Sequence, residues 1–176
     1  MREKEVKVLN IDKDEIENKL KNIGATLIKD EEQINIRFDS EESILKKNLN
    51  GYLRIRITKN LLNGETKNTM TFKKSISRDK LRVNEEIETE ISNVEETSKI
   101  LEILGYKKKR PGLKHRRSYI YDNIIFEIDT WDKETYPKPY LEIEMATEED
   151  LEKAIKLLNL DRSQITSKSI AELRKA

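Results

Sequence analysis

Cysteine is absent from the 176 residues, which excludes a disulfide framework, a thiolate metal site and a Cys nucleophile. Histidine is nearly absent too. With His115 alone, a multi-His zinc cluster is excluded and a Ser-His-Asp relay would have a single residue to serve as its base. Long apolar runs are missing, since no segment approaches the ~20 residues that span a bilayer as a helix. The amino-terminal MREKEVKV carries charge where a signal peptide has its apolar segment. A soluble, cytoplasmic chain with no membrane partner is expected. An excess of one charge is also missing: 35 Lys and Arg stand against 34 Asp and Glu, for a net charge of +1, so a dedicated nucleic-acid binder is not expected. Chemistry is left to carboxylates, Lys, Arg, Tyr or a metal held by oxygen. The length suits one domain over residues 1–176 and is short for a two-domain enzyme.

Apolar residues recur at strand and helix periods along nearly the whole chain, so the high charge is not a sign of disorder. Eight segments alternate with a period of two, near residues 3–9, 32–38, 52–58, 69–74, 81–91, 114–121, 124–130 and 140–145. Helical spacing covers 12–23, closed by Gly24, and 94–104, closed by Gly105. A third helix starts at Thr147 with Leu151, Ala154, Ile155 and Leu158 as its buried stripe, and a short fourth lies near 167–174. Asn63-Gly64 marks a turn in the loop 59–68, and Asp122-Asn123 makes a two-residue hairpin. An antiparallel sheet follows. The basic run Lys107 to Arg110, ending at Pro111-Gly112, is expected to be a solvated loop, and 39–50 a connecting loop.

Parity separates two kinds of residue. Glu3, Glu5 and Lys7 lie opposite Val6 and Val8; Tyr52, Arg54 and Arg56 oppose Leu53, Ile55 and Ile57; Thr69, Thr71 and Lys73 oppose Met70 and Phe72. Further on, Arg82, Glu86, Glu88 and Glu90 oppose Val83, Ile87 and Ile91, and Lys114 and Arg116 oppose His115, Arg117, Tyr119 and Tyr121. Glu127 and Asp129 oppose Phe126 and Ile128, and Tyr140, Glu142 and Glu144 oppose Leu141, Ile143 and Met145. One sheet face is apolar and the other crowded with both charges. An open sheet with its charged face in water satisfies this pattern; so does an eight-stranded barrel with helices outside and the charges within.

In the closed case, electrostatics restrict the contents. Two cations about 5 Å apart repel by roughly 3 kcal/mol at an effective dielectric of 20, so Lys7, Arg54, Arg56, Lys73, Lys114 and Arg116 need something negative among them. Carboxylates serve in part, and they also suit a hard divalent cation that bridges to phosphate. Arg grips phosphate oxygens with a fork, and Lys acts as a point charge. A chain of phosphates with a metal satisfies both sets.

The ordered motifs Glu3-Lys4-Glu5-Val6-Lys7, Tyr52-Leu53-Arg54-Ile55-Arg56, Thr71-Phe72-Lys73, the Glu86/Glu88 strand, Lys114-His115-Arg116, Phe126-Glu127-Ile128-Asp129 and Tyr140-Leu141-Glu142-Ile143-Glu144 resemble the CYTH family, also called triphosphate tunnel metalloenzymes. The resemblance covers essentially the whole chain. It implies an α+β fold: a closed eight-stranded antiparallel β-barrel with helices packed outside. It also implies a small-molecule triphosphate substrate with Mg²⁺ or Mn²⁺. On that resemblance Glu3, Glu5 and Asp129 are catalytic candidates, and Glu3, Glu5, Asp129, Glu142 and Glu144 are metal candidates. Lys7, Arg54, Arg56, Lys73, Lys114 and Arg116 would hold phosphate. Lys168 matches a residue of the tunnel mouth, although Ser169-Ile170 stands where the family has Ser-Tyr.

The leading expectation is metal-dependent hydrolysis of a terminal phosphoanhydride of inorganic triphosphate, a nucleoside triphosphate or thiamine triphosphate. A class IV-type adenylate cyclase, making cyclic AMP and pyrophosphate, is the alternative, because Ile128-Asp129-Thr130-Trp131 followed by Pro137 to Glu144 resembles cyclase-like members. A non-catalytic triphosphate- or polyphosphate-binding module is the third. Tyr119 and Tyr121 are expected beneath the helices, His115 to be structural, and Trp131 to pack rather than stack on a base. The loops 39–50 and 59–68 are placed to close over the tunnel mouth. Oligomeric state is left open, with a homodimer among the options.

Overall fold

The computed structural model describes residues 2–78 and 80–174. In chain order the elements are β1 (Arg2–Val8), α1 (Lys13–Asn22), β2 (Thr26–Asp39), α2 (Ile44–Leu49), β3 (Gly51–Asn60), β4 (Thr66–Arg78), β5 (Arg82–Glu90), α3 (Val94–Ile103), β6 (Lys107–Lys108), β7 (Gly112–Tyr121), β8 (Ile124–Trp131), β9 (Tyr140–Glu144) and α4 (Glu148–Leu158). A 3₁₀ turn (Arg162–Gln164), β10 (Ile165–Thr166) and α5 (Ile170–Leu173) follow.

Antiparallel pairing runs β1-β5-β4-β3-β2-β7-β8-β9 and returns to β1, so eight strands close into a barrel. β1 makes the closure. Arg2 to Glu5 pair with β5, Glu5 to Val8 pair with β9, and Lys7 and Val8 also pair with β10. Closure removes the open edges of a sheet, and the helices lie outside, as the α+β barrel expectation requires.

The apolar parity faces outward into two separate clusters. Val6, Val8, Tyr119, Phe126, Ile128, Leu141 and Ile143 pack against Ile16 and Leu20 of α1 and Leu151, Ala154, Ile155 and Leu158 of α4. Burying each Leu or Ile in this layer contributes about 1.5–3 kcal/mol. Ile36, Phe38 and Ile55 pack against Leu101 of α3, with Leu53, Met70 and Tyr106 around them. The helix starts follow their caps: Asp12 accepts from the Asp14 and Glu15 amides, Asn93 from Glu96, and Thr147 forms a capping box with Asp150.

Several local expectations are corrected. Residues 44–49 of the expected 39–50 loop form α2, whose first turn follows Ser40 and Asp39 side chains accepting from the Ile44 and Leu45 amides. Lys107 and Lys108 of the expected loop pair as β6 with Asp39 and Phe38. β2 begins at Thr26 rather than near 32. Its first half lacks apolar alternation and is paired instead by charge, with Asp30, Glu31 and Glu32 opposite Arg117, Arg116 and His115. Ile87 has the outward parity but remains 68% exposed, because no helix covers it. The short carboxy-terminal helix is confined to Ile170–Leu173, preceded by the 3₁₀ turn and β10.

Candidate active site

The inward parity brings the charged residues into one lumen. Glu5, Lys7, Arg54, Lys73, Lys114, Arg116, Asp129 and Glu142 are buried there with Gln33, Asn35, Arg82, Asn84 and Glu127. Arg56, Glu3 and Glu144 are half-buried. Burying so many charges is tolerable only where each finds a counterion or a ligand.

Two ion-pair clusters account for most of the cations. In the first, Arg116 makes a fork on Asp129, Nε to Oδ1 and Nη2 to Oδ2 both 2.6 Å, while Nη2 reaches Glu142 at 3.1 Å and Nη1 pairs with Glu127. Lys114 Nζ lies 3.0 Å from Asp129 Oδ2, and the Tyr140 hydroxyl donates to the same oxygen at 2.9 Å. In the second, Lys73 pairs with Glu3, with Glu5 at 3.4 Å and with Glu86 at 2.8 Å. Lys7 joins the clusters, 2.6 Å from Glu142 and 3.1 Å from Glu5.

These neighbours set the charge states. Burial works against ionised Glu142 and Asp129, yet Lys7 and Arg116 respectively lead the cations that hold both carboxyls below their usual range. Lys114 is different: burial, then Arg116, bring its ammonium down to about 7 despite Asp129. Arg54 and Arg56 have no carboxylate partner among the described residues. Arg54 Nη2 donates to Thr71 Oγ1 at 3.2 Å, and Arg56 Nε to Asn35 Oδ1 at 2.9 Å. Burial and the facing Arg54 and Arg116 push the Arg56 guanidinium down to about 10.

Glu127, Glu142 and Glu144 each offer a carboxylate oxygen, and these lie within 4.8 Å of one another. Burial first, then Glu127 and Glu3, push the Glu144 carboxyl up to about 10. Three carboxylates so close, one of them forced to hold a proton, form a donor set that a hard divalent cation fits by supplying the missing positive charge.

Of the sequence-predicted phosphate residues, all six reach the lumen. Among the predicted metal residues, Glu142 and Glu144 belong to the carboxylate group and Glu3 borders it through Glu144. Glu5 and Asp129 are taken up by Lys and Arg. Lys168 is exposed, with its amide donating to Thr166 Oγ1, while Ser169 caps α5 and Ile170 is buried at one mouth. His115 faces outward, 2.7 Å from Asp30, and Tyr119 is buried under α1 with its hydroxyl on Glu17. Trp131 packs at the same mouth, its Nε1 donating to the Tyr140 hydroxyl.

Sequence reasoning missed Glu127, Gln33, Asn35 and Asn84. A signal existed for the β2 pair, since Gln33, Asn35 and Arg37 alternate with Ile34, Ile36 and Phe38. Among the described residues, six buried wall atoms have no hydrogen-bond partner: Asn35 Nδ2, Arg54 Nε, Asn84 Nδ2, Arg82 Nη1, Gln33 Oε1 and Glu127 Oε2, of which the Arg82 and Glu127 atoms take part in ion pairs. Four of the six are donors. A lumen lined with orphan donors and uncompensated guanidinium groups suits a polyanion.

A closed antiparallel barrel with helices outside and opposed ions within is the architecture of a charged tunnel. The CYTH domain profile matches residues 1–172, and the chain belongs to the CYTH family. A Methanocaldococcus jannaschii protein named as a candidate adenylate cyclase is 30% identical over 184 residues, covering 99% of each chain. The solved structure of the PH1012 protein from Pyrococcus horikoshii OT3 superposes with a TM-score of 0.78 at 24% identity, covering 97% of this chain and 98% of that one. The Hippeastrum adenylyl cyclase HpAC1, described as having a dominant triphosphatase activity, superposes with a TM-score of 0.69 at 15% identity, covering 99% and 96%. At these identities the two structures show the shared fold.

Proposed function

We propose that this protein is a divalent-metal-dependent triphosphatase that hydrolyses a terminal phosphoanhydride inside the tunnel. The observation that carries the reading is the convergence of Arg54 and Arg56, without carboxylate partners, on a lumen whose other wall gathers Glu127, Glu142 and Glu144. The triphosphatase activity stated for HpAC1, which shares the fold, agrees with it.

Arg54, Arg56, Lys7, Lys73, Lys114 and Arg116 hold the phosphate oxygens and fix the chain in line. Glu142 and Glu144, with Glu127 beside them, would hold Mg²⁺ or Mn²⁺, which would supply positive charge against the phosphate oxygens. Glu3 orients the attacking water and accepts its proton. The water oxygen bonds to the terminal phosphorus, the bond from that phosphorus to the bridging oxygen breaks, and tripolyphosphate yields orthophosphate and diphosphate. Asp129 is too fully engaged by Arg116, Lys114 and Tyr140 to act as a base. Its role is to position Arg116.

Adenylate cyclase is the second reading, favoured by the name of the 30% identical M. jannaschii relative. One experiment separates the two. Purified protein is incubated with tripolyphosphate, ATP and thiamine triphosphate, each with Mg²⁺ or Mn²⁺, and all products are resolved. Phosphate release is expected. Cyclic AMP and pyrophosphate from ATP would favour the cyclase, and no product from any substrate would reject both readings.

A further inference from the structure

The inward side of β7 carries Lys114, Arg116 and Ser118 in succession. The first two are cations that hold Asp129. The third is neutral. In the β7–β8 register Arg116 stands opposite Asp129 and Ser118 opposite Glu127, and the Ser118 row continues through Glu142 on β9 to Lys7 on β1. Ser118 is fully buried, and its Oγ donates to Glu127 Oε1 at 2.9 Å. At the far end of the row the Lys7 ammonium holds Glu142 at 2.6 Å. Two neighbouring carboxylates of the proposed metal set are therefore anchored differently, Glu142 by an ammonium and Glu127 by a hydroxyl on one oxygen and a share of Arg116 on the other.

The local charges explain why a hydroxyl suits this position. Arg116 is divided among Glu127, Asp129 and Glu142, Lys114 is spent on Asp129, and Glu144 has no cation partner among the described residues. Lys29, opposite Ser118 on β2, is exposed, so it buries no ammonium beside Glu127. A cation at position 118 would neutralise Glu127 from within and compete with a divalent ion for it. An apolar side chain would leave Oε1 without its donor and the carboxylate free to turn. The serine hydroxyl fixes the carboxylate through one lone pair, and leaves the other lone pairs and the negative charge for a metal.

We propose that Ser118 is a positioning residue for the divalent cation: its hydroxyl sets the orientation in which Glu127 joins Glu142 and Glu144 as a ligand. The inference rests on the reading of those three carboxylates as the metal site and adds the uncharged residue that holds one of them in place.

The test uses calorimetry of Mg²⁺ and Mn²⁺ binding to wild type, Ser118→Ala and Ser118→Cys, the last keeping nearly the same volume with a weaker donor. Tripolyphosphate binding without metal is measured on the same proteins, and urea unfolding in a chelator shows that each is folded. Ser118→Ala is expected to lose about tenfold or more in metal affinity, the usual effect of removing an outer partner of a metal ligand, with Ser118→Cys in between. Metal-free tripolyphosphate affinity should stay within about twofold, because the charge-assisted contacts offered by Arg54 and Arg56 do not run through Ser118. Equal metal affinity in wild type and Ser118→Ala overturns the proposal and leaves the metal site standing. Parallel losses of metal and metal-free anion binding overturn it as well, since they describe a distorted lumen. Should Ser118→Ala fail to fold, an undiminished metal affinity in Ser118→Cys has the same force. Wild-type protein that binds neither ion rejects the metal site itself, and the role of Ser118 with it.

Discussion

Replacing Glu144 by Gln tests the electrostatic account of the carboxylate group most directly. The Glu144 carboxyl is raised from 4.5 to about 10, by burial first and then by Glu127 and Glu3. Between those two values the folded protein keeps the proton and the unfolded chain releases it, so stability falls as pH rises across that window. Each pH unit costs about 1.4 kcal/mol. By pH 8 the accumulated penalty is on the order of 5 kcal/mol, a large part of the ~5–15 kcal/mol that holds a domain folded. The Glu144→Gln variant has no such titration. Urea unfolding in the presence of a chelator, at pH 5 through 9, should therefore show wild type and variant nearly equal at the acid end and the variant increasingly more stable above it. Taking the difference between the two proteins cancels other titrating groups, including Lys114, whose contribution has the opposite sign. Mg²⁺ should then raise the wild-type midpoint at pH 8 with release of a proton, and leave the variant little changed. Parallel curves for the two proteins across the whole range would refute the reasoning.

Three further outcomes follow from the same geometry. Lys114, lowered from 10.5 to about 7 by burial and Arg116, should lend stability that rises with pH between those values; metal-free tripolyphosphate binding at pH 8 should return its proton. Calorimetry in buffers of different ionisation enthalpy would read that uptake, and a buffer-independent heat would contradict it. Arg116→Met leaves Asp129, Glu127 and Glu142 buried without their shared guanidinium, and urea unfolding should show a loss of about 3–5 kcal/mol, with Arg116→Lys losing less. Gly51→Ala would place a Cβ 2.8 Å from Phe72 Cζ and 2.9 Å from the Lys73 carbonyl; a destabilisation of about 1–3 kcal/mol is expected from overpacking, and an unchanged urea midpoint would count against that contact.

The barrel was legible because most strands carry a strict alternation, and in a closed sheet parity alone decides inside from outside. Lys7, Arg54, Arg56, Lys73, Lys114 and Arg116 all reach the lumen for that reason. Pairing within the lumen was not legible. Asp129 and Glu5 share the parity of Glu142 and Glu144, yet the shear of the barrel puts Asp129 beside Arg116 and Lys114 and Glu5 beside Lys7 and Lys73, and no one-dimensional pattern records shear. Glu127 was visible by parity but acquires meaning only through its distance to Glu142 and Glu144. The first half of β2 escaped detection because cross-strand charge, not apolar alternation, holds it. Lys107 and Lys108 escaped because two residues carry no period.

The ring closes through β1, which lacks its partner on one side until β9 arrives and is completed on the β5 side by β10. During synthesis, therefore, Glu3, Glu5 and Lys7 must wait for residues 140–166 before they meet Glu142 and Glu144. The working lumen is assembled last, by its earliest-made segment. Such distant pairing slows folding.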